Sequence, residues 1–113
     1  MKKATSKDFI GNIAEDKPPL FFFRYSDDPE ADKIELTLKD VQKDYPLLNI
    51  YQYLVDENED NYTLAEHLGY IDMPILVFFK NSNFNRYKDK QFTKKALNTF
   101  IGSKKTYAKP EEK

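Results

Sequence analysis

The chain has 113 residues, of which 40% are hydrophobic and 15% aromatic, and its formal net charge is −1. This length fits one domain, and the apolar content supports a folded core, which excludes wholesale disorder. The balanced charge argues against a binder of nucleic acid or of anionic membranes, which carries a basic excess, and no apolar run approaches the ~18–20 residues needed to cross a membrane.

The chain contains no cysteine. Disulfides, thiolate nucleophiles and zinc–thiolate sites are therefore impossible, and cysteine usage says nothing about the compartment. The basic start Met1-Lys2-Lys3 is not followed by the apolar core of an export signal. We expect a cytoplasmic location, with export left open if a signal has been removed. The sequon at Asn61 matters only in a secreted eukaryotic protein.

The first predicted element is a helix over residues 7–15, capped by Ser6 and ended by prolines. The apolar run at 20–25 is typical of a strand buried on both faces. A second helix starts at the acidic connection 26–30 and stops at Pro46. Its apolar residues share one face at spacings of i, i+4, i+7 and i+11, namely Ile34, Leu38, Val41 and Tyr45.

The segment at 49–55 predicts a further strand, and an acidic loop at 56–61 follows it. Thr63 and Glu66 form a capping-box pattern, which predicts a short helix from residue 63 to Gly69.

The strongest strand pattern begins at Pro74, which suits the first position of a strand because proline donates no ladder hydrogen bond. Five apolar residues at 75–79 form this third predicted strand, and a polar turn leads to an edge strand at 84–87. A last helix is predicted between the N-cap Thr93 and the C-terminal Gly102.

Strands separated by helices imply right-handed parallel crossovers, and the last two strands imply an antiparallel hairpin. We therefore expect a three-layer α/β/α domain at 1–103 with a central mixed sheet of about four strands. The charged residues at 104–113 are expected to form a solvated tail.

This order of elements, with a proline before the third strand, resembles the thioredoxin fold. Residues 23–45 align without a gap to the thioredoxin stretch that begins Phe-Trp-Ala-Glu-Trp-Cys-Gly-Pro-Cys, and residues 48–56 match its next strand. Residues 68–74 match Tyr-Gly-Ile-Arg-Gly-Ile-Pro, and residues 76–81 look like Leu-Leu-Phe-Lys-Asn. The loop at 56–61 is longer than in thioredoxin.

The resemblance implies a member that has lost its redox chemistry. The Cys-x-x-Cys motif of the family falls on Asp28-Pro29-Glu30-Ala31, and its buried acid falls on Phe22. Disulfide exchange needs a thiolate that attacks sulfur, and neither Asp28 nor Ala31 provides one. In the family the matching proline is cis and the backbone before it pairs with extended peptides. The resemblance thus implies a cis Met73–Pro74 bond and a peptide-binding edge.

The leading hypothesis is a non-enzymatic module, without cofactor or metal, that binds a peptide or protein. Ligands of open α/β sheets bind at the carboxyl ends of the parallel strands. We therefore expect the partner-binding residues to be Tyr25, Tyr70, Met73 and Pro74. Two alternatives stay open: a carboxylate- or metal-dependent enzyme at the same edge, and a structural subunit, as a monomer or a weak dimer through the sheet edge at 84–88.

The acidic residues at the start of the second helix also admit two interpretations. They cap the helix and interact favourably with its dipole, or they form an acidic rim that favours basic ligands. These residues are Asp27, Asp28, Glu30 and Asp32.

The spacing Asp56-x-Asn58-x-Asp60 is that of calcium ligands, but Asn61 and His67 occupy the positions that need glycine and glutamate in an EF-hand. A plain acidic loop is therefore predicted. His67, the single histidine of the chain, is expected to be a solvated helix residue.

Overall fold

The computed structural model describes residues 1–12, 18–70, 72–80, 83–88 and 91–102. The expected end of the first helix, the turn at 81–82 and the tail at 104–113 lie outside the described residues. The described elements are β1 (Lys2–Ala4), α1 (Ser6–Asn12), β2 (Leu20–Arg24), α2 (Pro29–Gln42), β3 (Ile50–Leu54), α3 (Glu59–His67), β4 (Ile75–Lys80), β5 (Asn83–Tyr87) and α4 (Lys94–Ile101).

The strands form one mixed sheet in the order β1-β3-β2-β4-β5. Strands β1 and β2 run parallel to β3, whereas β4 runs antiparallel to both β2 and β5. The predicted α/β class and the final hairpin are confirmed, but the sheet has five strands rather than about four. The extra strand is β1, in which two exposed lysines precede the buried Ala4, so it carries no apolar pattern that marks a strand.

Side chains alternate between the two faces of the sheet and build two apolar cores. Leu20 and Phe22 pack with α2 and α4 on one face, and Phe21 and Phe23 pack with α1 and α3 on the other. Burial of each such side chain contributes about 1.5–3 kcal/mol. The alternation of neighbouring residues confirms a central strand covered on both faces.

Three helix boundaries differ from the prediction. Thr5, not Ser6, caps α1, because its Oγ accepts a hydrogen bond from the N–H of Asp8 while the Asp8 carboxylate accepts one from the N–H of Thr5. Helix α3 starts at Glu59 with Asn58 as its N-cap, so the predicted capping box at Thr63 and Glu66 is wrong. Helix α2 ends at Gln42 instead of reaching Pro46.

Both ends of the last described helix, α4, agree with the prediction. Thr93 caps α4 by accepting a hydrogen bond from the N–H of Ala96 at 3.1 Å. Gly102 ends it with φ 63°, a conformation that favours glycine. In the described part of the chain, no helix is long and apolar enough to span a membrane.

Asn61 is a polar residue with no exposed surface. Its Oδ1 accepts a hydrogen bond from the N–H of Ser6 at 2.9 Å, and its Nδ2 donates to the carbonyl of Leu54 at 3.0 Å. One side chain therefore ties α1, β3 and α3 together. In the folded chain the amide of the sequon is buried in this contact.

Candidate functional site

One end of the sheet gathers most of the residues that the sequence singled out. Arg24 of β2 pairs with Leu54 of β3, and Phe23 of β2 pairs with Ile75 of β4. The carboxyl ends of two parallel strands and the amino end of β4 thus meet at one edge. We call the loop 25–28, Asp56 and the segment 72–74 the carboxyl edge.

Tyr25, Met73 and Pro74 are half-buried at the carboxyl edge. Tyr25 and Met73 pack against the core formed with α1 and α3 and keep part of their surface exposed. The peptide bond between Met73 and Pro74 is cis. Three of the four residues expected to bind a partner therefore have accessible apolar surface at the same edge.

Tyr70 differs from the other three because it is only 4% exposed. Gly69, at φ 75°, turns the chain after α3 so that the N–H of Tyr70 bonds the carbonyl of Ala65. The Tyr70 ring packs edge-on against Phe23 at 5.2 Å, and burial raises its pKa. Tyr70 therefore packs beneath the carboxyl edge with little exposed surface, and its contact with a partner stays a prediction.

The four positions that match the family's Cys-x-x-Cys serve the start of α2. Asp28 is the N-cap, its carboxylate accepting a hydrogen bond from the N–H of Glu30 at 3.1 Å, and Pro29 is the first helical residue. Glu30 is exposed and Ala31 is fully buried. Phe22, at the position of the family's buried acid, is also fully buried. At these positions this chain therefore has residues that cap α2 or pack in the core, and one exposed carboxylate, Glu30.

Arg24 organises the loop 25–28, and its role was not predicted. The residue is only 3% exposed. Its Nε donates to the carbonyl of Tyr25 at 2.9 Å, and its Nη2 donates to the carbonyl of Ser26 at 3.0 Å. The same Nη2 lies 2.8 Å from a carboxylate oxygen of Asp32, and Nη1 lies 3.6 Å from one of Glu35. The sequence feature that could have indicated this role is a single arginine at the end of an otherwise apolar strand.

The acidic residues around this loop have distinct roles. Asp28 caps α2 and Asp32 pairs with Arg24, which agrees with the capping and dipole interpretation. Asp27 and Glu30 are exposed, so their carboxylates are available to a ligand. The capping and dipole interpretation therefore fits Asp28 and Asp32, and the acidic rim stays a prediction for Asp27 and Glu30.

Asp56 connects the β3 end to the β2 end. Its Oδ1 accepts from the N–H of Ser26 at 2.9 Å, and its Oδ2 accepts from the Ser26 hydroxyl at 2.6 Å. These hydrogen bonds lower the pKa of Asp56 below its ordinary value, and the bond from the Ser26 hydroxyl has the largest effect. Asp56 therefore ties the loops together as an ionised carboxylate.

Replacing Ser26 with alanine is expected to move the pKa of Asp56 back towards the ordinary range near 3.9. A lowered folded-state pKa stabilises the fold above the unfolded-state pKa, and this contribution disappears as the pH falls through the folded-state value. The stability difference between wild type and S26A should therefore be present at pH 6 and shrink as the pH falls below the ordinary carboxyl pKa near 3.9. Carboxyl NMR titration and urea unfolding across pH check both effects; an unchanged Asp56 pKa in S26A would contradict them.

Among the residues that the structure describes, no group of three or more His, Asp or Glu side chains is placed to hold a metal ion. In the suspected calcium spacing, Asp56 bonds Ser26, Asn58 caps α3, and Asp60 lies within that helix. His67 is exposed at the last residue of α3, as predicted.

Comparison with solved structures identifies the architecture. Thioredoxin from Fasciola hepatica matches with a TM-score of 0.70 and 23% identity, over 90% of this chain and 97% of that chain. Mitochondrial thioredoxin 3 from Saccharomyces cerevisiae matches with a TM-score of 0.73 and 16% identity, over 90% and 93% of the two chains. Thioredoxin O2 from Arabidopsis thaliana matches at 0.66 and 19% identity, over 90% and 82%.

The fold is that of thioredoxin. No protein-family model and no curated protein matches the chain in sequence. The structural likeness and the absence of cysteine together describe a cysteine-free chain with the thioredoxin fold. The predicted resemblance is therefore confirmed at the level of the fold.

Proposed function

We propose that this thioredoxin-like chain is a redox-inactive module that binds an extended segment of a peptide or protein at the carboxyl edge. The observation that carries the proposal is the backbone of Met73. Within the described residues, neither its N–H nor its C=O has a hydrogen-bond partner. An extended ligand satisfies such groups by adding a short strand, with side-chain contacts supplying specificity.

The side chains around Met73 support the same proposal. Tyr25 and Met73 offer partly exposed apolar surface at the carboxyl edge, and both pack against the same core. Methionine adapts its shape to different apolar partners, and tyrosine offers an apolar ring with a polar tip. Each new backbone hydrogen bond contributes only about 0.5–1.5 kcal/mol, so most of the affinity must come from burial of these side chains.

The charge of the edge favours basic ligands. Asp27 and Glu30 are exposed, whereas Arg24, the cation at the end of β2 next to the loop 25–28, is buried and paired. A ligand with a lysine or arginine next to its apolar residue therefore meets uncompensated carboxylates. Such contacts are screened by salt, so binding should weaken as ionic strength rises.

Peptides selected on the wild-type chain from a random display library test the proposal. We expect M73K to weaken their binding at least tenfold, because a charged side chain replaces the apolar contact; tenfold corresponds to about 1.4 kcal/mol. The matched control is L36K, which places the same charge at the 67% exposed Leu36 on α2, away from the carboxyl edge. Isothermal titration calorimetry measures both. Equal affinities of the two variants, or a library that yields no binder, would contradict the proposal.

The hypothesis of an enzyme at the same edge gains less support. No observation in the described part of the chain favours a carboxylate- or metal-dependent enzyme. Around the carboxyl edge, Asp28 caps α2, Asp32 pairs with Arg24, Asp56 bonds Ser26 and Asp72 pairs with Lys88. Chemical-shift mapping with millimolar Mg²⁺ or Ca²⁺ would revive this hypothesis if the shifts were confined to residues 27–32 or 56–60.

A further inference from the structure

The two outer strands of the sheet differ in how well they resist pairing with another chain. Strand β1 has three residues, and two of them are exposed lysines, which are features that block edge-to-edge pairing. Strand β5 has five residues and contains no proline and no acidic residue. In the described sheet, β5 is therefore the edge that more readily accepts another strand.

The pairing of β5 with β4 fixes which of its backbone groups face outward. Lys80 pairs with Asn83, and only two residues separate them in sequence, so this pair closes the hairpin as a hydrogen-bonded pair. Hydrogen-bonded and non-hydrogen-bonded pairs alternate along the ladder. The pairs of Phe84 and Arg86 are thus of the second kind, and the N–H and C=O of these two residues point away from β4.

The side chains of Phe84 and Arg86 lie on the face of the sheet that α1 and α3 cover. The Phe84 ring stacks on Phe9 at 5.5 Å and contacts Phe79 at 5.0 Å, yet 37% of the residue stays exposed. The Arg86 guanidinium lies 5.6 Å from the centre of the Tyr70 ring. The outer strand therefore presents an aromatic ring and a cation, two positions apart, beside the outward-facing backbone groups of Phe84 and Arg86.

We propose that a second copy of this chain pairs antiparallel with β5, around a two-fold axis at Asn85. In this register Phe84 of each copy is opposite Arg86 of the other, and their outward N–H and C=O groups form four backbone hydrogen bonds. Each Phe84 ring then lies next to an arginine, a favourable cross-strand combination. Two five-stranded sheets become one continuous sheet.

Charge repulsion disfavours the neighbouring register, which is centred on Arg86. A shift that centres the axis on Arg86 also pairs outward backbone groups, but it places Arg86 directly opposite Arg86 of the second copy, which is destabilising. The register centred on Asn85 avoids this repulsion. The contact is small compared with stable dimer interfaces, so we expect a weak dimer that forms at high protein concentration.

The absence of cysteine makes cross-linking a clean test, since one introduced cysteine can only form an intermolecular disulfide. In the proposed register residue 85 faces itself as a non-hydrogen-bonded pair, with about 4.5 Å between the two Cα atoms, which lies within disulfide range. We expect N85C to become a covalent dimer under mild oxidation. The control N83C, on the same strand and face, should stay monomeric because its two copies are roughly 13 Å apart.

Non-reducing electrophoresis of the folded variants reads out the result. Equal cross-linking of N85C and N83C, or none in either, would overturn the proposal. Sedimentation velocity of two further variants provides an independent measurement if a cysteine disturbs the hairpin. F84R places two arginines opposite each other and should abolish self-association, whereas F84E faces Arg86 of the second copy and should retain it; the reverse order or no difference also overturns the proposal.

Discussion

Replacing Arg24 with methionine is expected to lower the free energy of unfolding by about 2–4 kcal/mol. Methionine fills similar space but donates no hydrogen bond, so the carbonyls of Tyr25 and Ser26 lose their donor. The carboxylates of Asp32 and Glu35 remain partly hydrated, which keeps the cost below that of isolating a fully buried charge. Urea unfolding with fitted midpoints and slopes measures the change.

Two matched variants separate the contributions of Arg24. R24K keeps the charge but not the planar fork that bonds several carbonyls at once, so its stability should lie between those of R24M and wild type. D32N keeps Arg24 and its bonds to the carbonyls, and it removes the ion pair with a mostly exposed carboxylate in the first turn of α2. This loss is expected to cost about 1 kcal/mol or less. If R24M proved no less stable than D32N, the assignment of Arg24 as organiser of the loop 25–28 would be wrong.

Replacing Asn61 with alanine should cost about 2–4 kcal/mol. The substitution leaves the N–H of Ser6 and the carbonyl of Leu54 without their buried partner, and water cannot replace a side chain that has no exposed surface. The N–H of Asn61 itself keeps its bond to the side chain of Asn58. Thermal and urea unfolding should agree, with an unchanged denaturant slope.

The control for Asn61 is N58A, which removes the N-cap of α3 and leaves the Asn61 side chain in place. Loss of a cap costs about 1 kcal/mol, so N61A should be clearly the more destabilised variant. Similar stabilities of N58A and N61A would show that the contacts of Asn61 with α1 and β3 contribute little.

The sequence predicted the elements that carry their own apolar pattern. Strands β2 and β4 follow from continuous apolar runs, and α4 follows from a capping threonine and a terminal glycine. Strand β1 could not be predicted because Lys2 and Lys3 are exposed and the strand exists only by pairing with β3. Tertiary pairing, rather than local propensity, decides such an edge.

The predicted start of helix α3, at residue 63, comes later in the chain than the observed start at Glu59, for a related reason. Its first turn follows the polar run Asp56–Asn58, and its buried residues include Asn61, which no hydrophobic pattern reveals. The residue that fixes this region is polar and is satisfied by partners distant in sequence, at Ser6 and Leu54. A buried amide of this kind is visible only when the contacts are known.

The candidate site was predicted in part. Tyr25, Met73 and Pro74 are at the edge that the strand order indicated, because the carboxyl ends of parallel strands meet at one end of a sheet. Tyr70 was expected to bind a partner because its sequence position is next to that edge, whereas after the turn at Gly69 its ring packs in the core. The direction of a side chain after a turn depends on backbone geometry that residue types alone do not specify.

The most direct test of peptide binding at the carboxyl edge is a ¹⁵N–¹H NMR titration of the wild-type chain with a library-selected basic peptide. We predict that the largest shifts fall on residues 25–28 and 72–75, with Met73 among them, and that they weaken when salt is added. Shifts concentrated instead along β5, or in the groove between α2 and Phe92, with residues 25–28 and 72–75 unchanged, would contradict the assignment of the carboxyl edge as the binding site.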